Sequence, residues 1–346
     1  MRIDGHVHLI GNGRGGSGCR LRLNPMRRLA GKVLERIIGL GRVALESPDF
    51  DRRYADHLLQ LVRSSSLDAV VLLAHEEAYQ ANGRKVENFS SFYVPNGYVL
   101  GLAKQNPEFL PAVAIHPARP DAMDELARCV EGGAVMLKLI PCSQNVDCND
   151  PRYRPFWQRV ADANLPFLAH TGGENTVPVY DSALADPRVL RQPLECGVTV
   201  IAAHCATSAR LIDRDYFPVW RDMLDQHPNL CGDTSALLSL NRPAHLPELL
   251  APDLLPRVVH GSDYPVPVLP QRLWLTGAIS REVFRQWGRH PNPLERDYQI
   301  KRAMGFPDTY FAAITRLLRD PATGRAGLDT MRVAEPDSVR TAAPRT

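Results

Sequence analysis

The chain has 346 residues, 44% apolar and 23% charged, and a formal net charge of +3 from 41 Lys and Arg against 38 Asp and Glu. That composition excludes collagen, coiled coil and wholesale disorder, and so small a net charge carries no electrostatic footprint for nucleic acid. Eleven histidines are the count that the order of the chain has to explain.

The run Met1-Arg2-Ile3-Asp4-Gly5-His6 places charge where a signal peptide needs an apolar stretch. No segment approaches the roughly 18 consecutive apolar residues of a membrane span. The seven cysteines are an odd, scattered set, unlike a disulfide framework. A cytoplasmic protein with reduced thiols and no membrane contact is expected.

The first predicted strand, 2–7, runs into His6-Val7-His8. After it comes an insertion, residues 11–47, glycine-rich and then basic and amphipathic. It begins Gly11-Asn12-Gly13-Arg14-Gly15-Gly16, which matches a dinucleotide-binding pattern. That reading also needs a helix opening on the third glycine and an acidic residue ending a second strand. Ser17 to Pro25 shows no helix start and Glu35 sits in a helical pattern, so a flexible loop is expected, with the insertion as a lid over a site.

Further strands are predicted at 69–74, 110–115, 134–140, 166–170, 198–203, 230–233 and 257–260, with helices at 51–63, 120–131, 151–163 and 216–226 among them. Short Val/Ile/Leu runs alternating with amphipathic segments mark βαβ units and a parallel sheet. Eight such units point to an α/β fold, a single (β/α)8 TIM barrel over residues 1–319, with an open doubly wound sheet as the alternative. Residues 320–346, rich in Ala, Pro, Thr and Arg, are expected to be a disordered tail.

The candidate functional residues lie at strand ends. His6 and His8 are two apart and share a face of their strand, so both can reach one ion. Lys138 interrupts the apolar run of the fourth strand, His170 ends the fifth, His204 the sixth, and Asp263 follows the eighth in His260-Gly261-Ser262-Asp263. Buried polar groups of this kind are costly unless paired or coordinated, and barrel enzymes draw catalytic groups from the C-terminal ends of several strands. A metal site follows. Asn145, Glu174 and Tyr264 are candidate substrate contacts beside it. Asp233, ending the seventh strand, reads as a structural hydrogen-bonding group. His75, with Glu76 and Glu77, reads as a solvated turn. His116 reads as core packing.

His6-Val7-His8, Lys138, Ala169-His170-Thr171-Gly172-Gly173, Ala203-His204-Cys205 and Gly261-Ser262-Asp263-Tyr264-Pro265 together resemble the amidohydrolase superfamily. They are most similar to its second branch, which also holds aminocarboxymuconate-semialdehyde decarboxylase and related benzoate-type decarboxylases. The resemblance implies a divalent metal on His6, His8, His170 and Asp263. In binuclear members the lysine is carbamylated and bridges two ions, with the sixth-strand histidine on the second; in mononuclear members that histidine contacts substrate or water. Both states stay open for Lys138 and His204. Zn²⁺ is the favoured ion, with Mn²⁺, Co²⁺ or Fe²⁺ tolerable.

The expected reaction is hydrolysis of an amide, lactone or ester bond in a small molecule. Metal-activated water attacks a polarised carbonyl, Asp263 takes the proton and His204 stabilises charge. The alternative is non-oxidative decarboxylation of an aromatic or unsaturated carboxylic acid. A small-molecule substrate is the expected partner, and a homodimer is left open.

Overall fold

The computed structural model describes residues 1–22, 45–209, 213–239, 242 and 245–328. Eight parallel strands form one sheet in chain order: β1 (Ile3–His8), β2 (Ala69–Leu73), β3 (Phe109–Val113), β4 (Met136–Leu139), β5 (Phe167–Ala169), β6 (Val200–Ala202), β7 (Leu230–Asp233) and β8 (Val258–Val259). The strands are buried on both faces, which is why they read as continuous apolar runs rather than alternating ones. Beyond β8 the chain runs on beside β1. Gly5 N donates to His260 O at 2.9 Å, Asp263 N to His6 O at 2.9 Å and His8 N to Tyr264 O at 2.8 Å. The sheet closes there, as a barrel rather than an open sheet.

The principal helices are α1 (Phe50–Arg63), α2 (Asn96–Gln105), α3 (Ala122–Glu131), α4 (Arg154–Asp162), α5 (Phe217–Gln226) and α6 (Pro293–Met304). Helix α6 shows the local logic. Asn292 accepts from Leu294 N and Glu295 N, Pro293 sits in the first turn, and Gly305 at φ 107° ends the helix; these are the preferred residues at each place. The helix predicted at 151–163 opens instead with a 3-10 turn, Pro151–Tyr153, because Asp150 accepts from Arg152 N.

Two apolar layers hold the barrel. The outer one lies between helices and strands. Trp157 there is fully buried, stacks on Phe167 with ring centroids 5.0 Å apart and donates its indole N–H to Cys148 O at 3.0 Å. Trp157→Ala is expected to cost about 3–5 kcal/mol, read as a lowered midpoint in urea unfolding. The inner layer joins Ile3, Ala69, Val71, Leu110, Met136, Leu168, Ile201 and Val259 to Ile314, Leu318 and Leu328. This last segment corrects the boundary expected at 319. Arg319 N donates to Val135 O at 3.1 Å, and Leu328 N to Thr315 O at 2.9 Å, so packing continues through Leu328. The rest of the expected tail, 329–346, lies outside the described residues.

The glycine-rich segment is also firmer than expected. The Asp51 carboxylate accepts from Asn12 N, Gly13 N and the Ser17 hydroxyl. Gly13 adopts φ 77°, and a Cβ there would lie 1.9 Å from Cys19 O. No helix opens on Gly16; the chain goes on to Arg20–Leu21, paired antiparallel with Phe92–Tyr93. The lid expected over 11–47 falls mostly at 23–44, outside the described residues. Among those residues, no helix is long and apolar enough to cross a membrane.

Candidate metal centre

The closure between β1 and β8 brings three side chains together. His6 Nε2 and His8 Nε2 are 3.3 Å apart, and Asp263 Oδ1 lies 3.1 Å from each. Lys138 Nζ from β4 is 3.5 Å from His6 Nε2. Among the described residues, His6, His8 and Asp263 form the group whose donor atoms all lie within 4.8 Å of one another.

Partners fix the protonation of the histidines. His6 Nδ1 lies 2.8 Å from Asp233 Oδ2, so it carries the proton and donates, leaving Nε2 as a lone pair. Two imidazole nitrogens and a carboxylate oxygen thus face one another with few protons between them. Such an arrangement repels itself unless a cation or proton sits inside, and two nitrogens with one oxygen suit zinc or a neighbouring transition metal. The residues fit the ion that the sequence implies.

The electrostatics agree. Burial raises the carboxyl of Asp263, but His6 and His8 outweigh it and hold the group well below the ordinary carboxylate range. Burial and Lys138 push His6 down, yet Asp263 and Asp233 leave it raised. Burial lowers Lys138 to about 8 despite Asp233 and Asp263. Burial holds His170 and His204 well below 6.5, so both are neutral imidazoles at neutral pH.

His170 stands one step out from the trio. Its Nδ1 is 3.2 Å from His204 Nε2, and its Nε2 lies 3.3 Å from Glu174 Oε2 without hydrogen-bond geometry. His204 Nδ1 donates to Ser235 O at 2.8 Å, and its ring stacks on that of His6 with centroids 5.4 Å apart. The turn after β6 is strained: His204, Cys205 and Ala206 have φ 61°, 48° and 58°, and Asp263 has φ 67°. The left-handed region costs an L-residue roughly 1–2 kcal/mol, and such strain gathers at functional sites. Asp233 holds it in place, since its Oδ1 accepts from His204 N at 2.7 Å and from Ser235 N at 3.0 Å.

The predicted substrate contacts divide. Glu174 reaches His170, although its Oε1 also accepts from Val177 N at 3.0 Å within its own loop. Asn145 is left-handed at φ 61° and donates its amide to Tyr79 O at 2.9 Å. Tyr264 is buried, its ring stacked on that of Tyr54 with centroids 6.3 Å apart, and its carbonyl accepts from His8 N at 2.8 Å. His116 is structural, as expected: Nε2 donates to Gln144 O at 2.9 Å, Nδ1 accepts from Ala118 N at 3.0 Å, and burial lowers the ring to about 4.

Asp233 has the structural hydrogen-bonding role expected of it, made specific, and two further residues differ from or escape the sequence reading. Asp233 orients His6; a charged residue ending an apolar strand was the available signal. His75 is buried and stacked on Phe92 at 3.8 Å, which corrects the solvated turn; its position just past β2 was the signal. Arg242 is buried, donates to Thr207 O at 2.9 Å and to Gly173 O, and has no carboxylate in ion-pair contact among the described residues. No periodicity or motif in the sequence marks it. All seven cysteines are free, and burial pushes the thiols of Cys19, Cys129 and Cys142 up to about 12.

The family described as amidohydrolase matches residues 3–295. No curated protein matches the chain. Among solved structures, an uncharacterized TIM-barrel protein from Bordetella bronchiseptica is similar at TM-score 0.52 and 18% identity, over 85% of this chain and 99% of that one. A 5-carboxyvanillate decarboxylase from Sphingomonas paucimobilis is similar at TM-score 0.52 and 14% identity, over 90% and 95%. A probable 2-pyrone-4,6-dicarboxylic acid hydrolase from Acinetobacter baumannii, with citric acid bound, is similar at TM-score 0.50 and 14% identity, over 90% and 100%.

Proposed function

This chain belongs to the amidohydrolase family, and from that premise we propose that it is a metal-dependent hydrolase of a carbonyl-type bond (amide, lactone or ester) in a small molecule. The observation that carries the reading is the convergence of His6 Nε2, His8 Nε2 and Asp263 Oδ1 at 3.1–3.3 Å. These atoms would hold a divalent ion, Zn²⁺ first among the candidates, with His170 as a further ligand. When bound, such an ion supplies Lewis-acid polarisation and lowers the pKa of water to about 7.

The protein's own groups do the rest. Asp263, held ionised by the two histidines, is the base for the water proton and returns it to the leaving group. His204, a neutral imidazole, stabilises the negative charge that develops beside it. Asp233 keeps His6 in the tautomer whose Nε2 faces the centre. Lys138, buried and drawn down to about 8, supplies the free amine that a carbamate requires.

A second reading, decarboxylation, is favoured by Arg242. Among the described residues this buried guanidinium bonds to backbone carbonyls and a hydroxyl, with Glu174, Asp263, Asp233 and Asp213 acting on it only through space, and a substrate carboxylate would give it a bonded anion. Metal-loaded protein supplied with lactones and esters in a pH-stat, with amides under an amine-release assay, and with aromatic carboxylates under CO₂ capture, separates the two. Acid release from the lactones or esters, or amine release from the amides, supports hydrolysis; CO₂ from the carboxylates alone overturns it. Reconstitution with Zn²⁺ is expected to give two ions per chain with bicarbonate and one without. A single ion under both conditions would remove the carbamate and bring decarboxylation level.

A further inference from the structure

Behind the metal centre, on the side of helix α6, lies a pair of charged residues with no direct part in it. Lys301 is 0% exposed and Asp297 1%. The Lys301 ammonium has three protons and three acceptors: Asp297 Oδ1 at 2.6 Å, Gly261 O at 2.8 Å and Thr234 O at 3.3 Å. Thr234 directly follows Asp233, and Gly261 stands two residues before Asp263. One ammonium therefore grips the chain ends of both β7 and β8.

It acts where the ladder runs out. The two strands pair in register only at Val258 with Gly232 and Val259 with Asp233. Past those pairs β1, β7 and β8 approach closely, so that a Cβ on Gly261 would lie 2.9 Å from His6 Cβ and 3.1 Å from Ser235 Cβ. Asp4 ties the remaining side, its Oδ1 accepting from His6 N at 3.0 Å and Ser262 N at 2.9 Å. A shift of either strand end changes the separation of Asp263 from His6 and His8, and ligand groups need geometry held to about 0.5 Å.

We propose that Lys301 is a positioning residue of the metal centre: its ammonium, bonded to Asp297, sets the spacing of the strand ends that carry Asp233 and Asp263, and through them the affinity and geometry of the bound ion. This rests on the reading that His6, His8 and Asp263 hold a metal.

The test is a Co²⁺ titration of metal-free full-length protein, followed by the visible absorption of the ion, with the thermal midpoint of each metal-free protein measured alongside. Lys301→Met is expected to weaken Co²⁺ binding by about 10–100-fold, the range for residues that support ligands, and to shift the absorption band. Removing one partner of a buried pair leaves an uncompensated charge, whereas replacing both by apolar residues is often neutral for stability. The double variant Asp297→Leu/Lys301→Met is thus expected to fold and still to bind Co²⁺ weakly with the shifted band. Wild-type affinity and band in that double variant would overturn the inference alone. A wild-type protein that takes up no Co²⁺ would overturn the metal reading, and this inference with it.

Discussion

Asp263→Asn is expected to lower kcat by about 10²–10⁴, the range for loss of a positioned general base, with the thermal midpoint of the metal-free protein kept within a few degrees. The amide retains the shape and one acceptor oxygen, so the backbone bond from Asp263 N to His6 O at 2.9 Å survives. What is lost is the negative charge that His6 and His8 share and the basic oxygen that takes the proton. Metal content measured on the same sample decides the cause. Turnover near wild type with metal bound would remove Asp263 from the chemistry, while a variant that is inactive and metal-free would make it chiefly a ligand.

Asp233→Asn is expected to weaken Zn²⁺ binding by about 10–100-fold without touching any ligand atom. Its Oδ1 accepts from His204 N, Ser235 N and the Ser235 hydroxyl, so the asparagine carbonyl remains on that side. The amide –NH₂ then faces His6 Nδ1, which must accept rather than donate, and the imidazole proton moves to Nε2. The lone pair aimed at His8 and Asp263 disappears. A competition titration against a colorimetric chelator measures the loss, and an unchanged affinity would show that His6 does not bind through Nε2.

Much of the site could be read from the sequence because strands have a fixed period. His6 and His8 share a face at a spacing of two, and Lys138, His170, His204 and Asp263 stand out as polar groups at the ends of apolar runs. What escaped depends on contacts distant in sequence. Asp297 and Lys301 drew no reading from the sequence; only the fold shows this i,i+4 pair turned against the ends of β7 and β8. Arg242 sits in a loop without pattern, and its value comes from Thr207 and Gly173. Tyr264 follows Asp263 directly, yet the chain turns it into the core onto Tyr54. Asn145 has the right neighbourhood, but its left-handed backbone and bond to Tyr79 O give it a turn-making role. The alternating apolar pattern located the strands well and their ends less well, since an end is set by where ladder bonds stop.

Barrel closure has a kinetic side. Asp4 bonds to Ser262, 258 positions away, and Ile314, Leu318 and Leu328 close the inner layer onto Ile3. A nascent chain emerging at about 5–20 residues per second holds His6 and His8 long before Asp263 exists to meet them. Until residues 260–264 have left the ribosome, β1 lacks its second neighbour. The three donor groups of the candidate centre therefore come together only after most of the chain has been made.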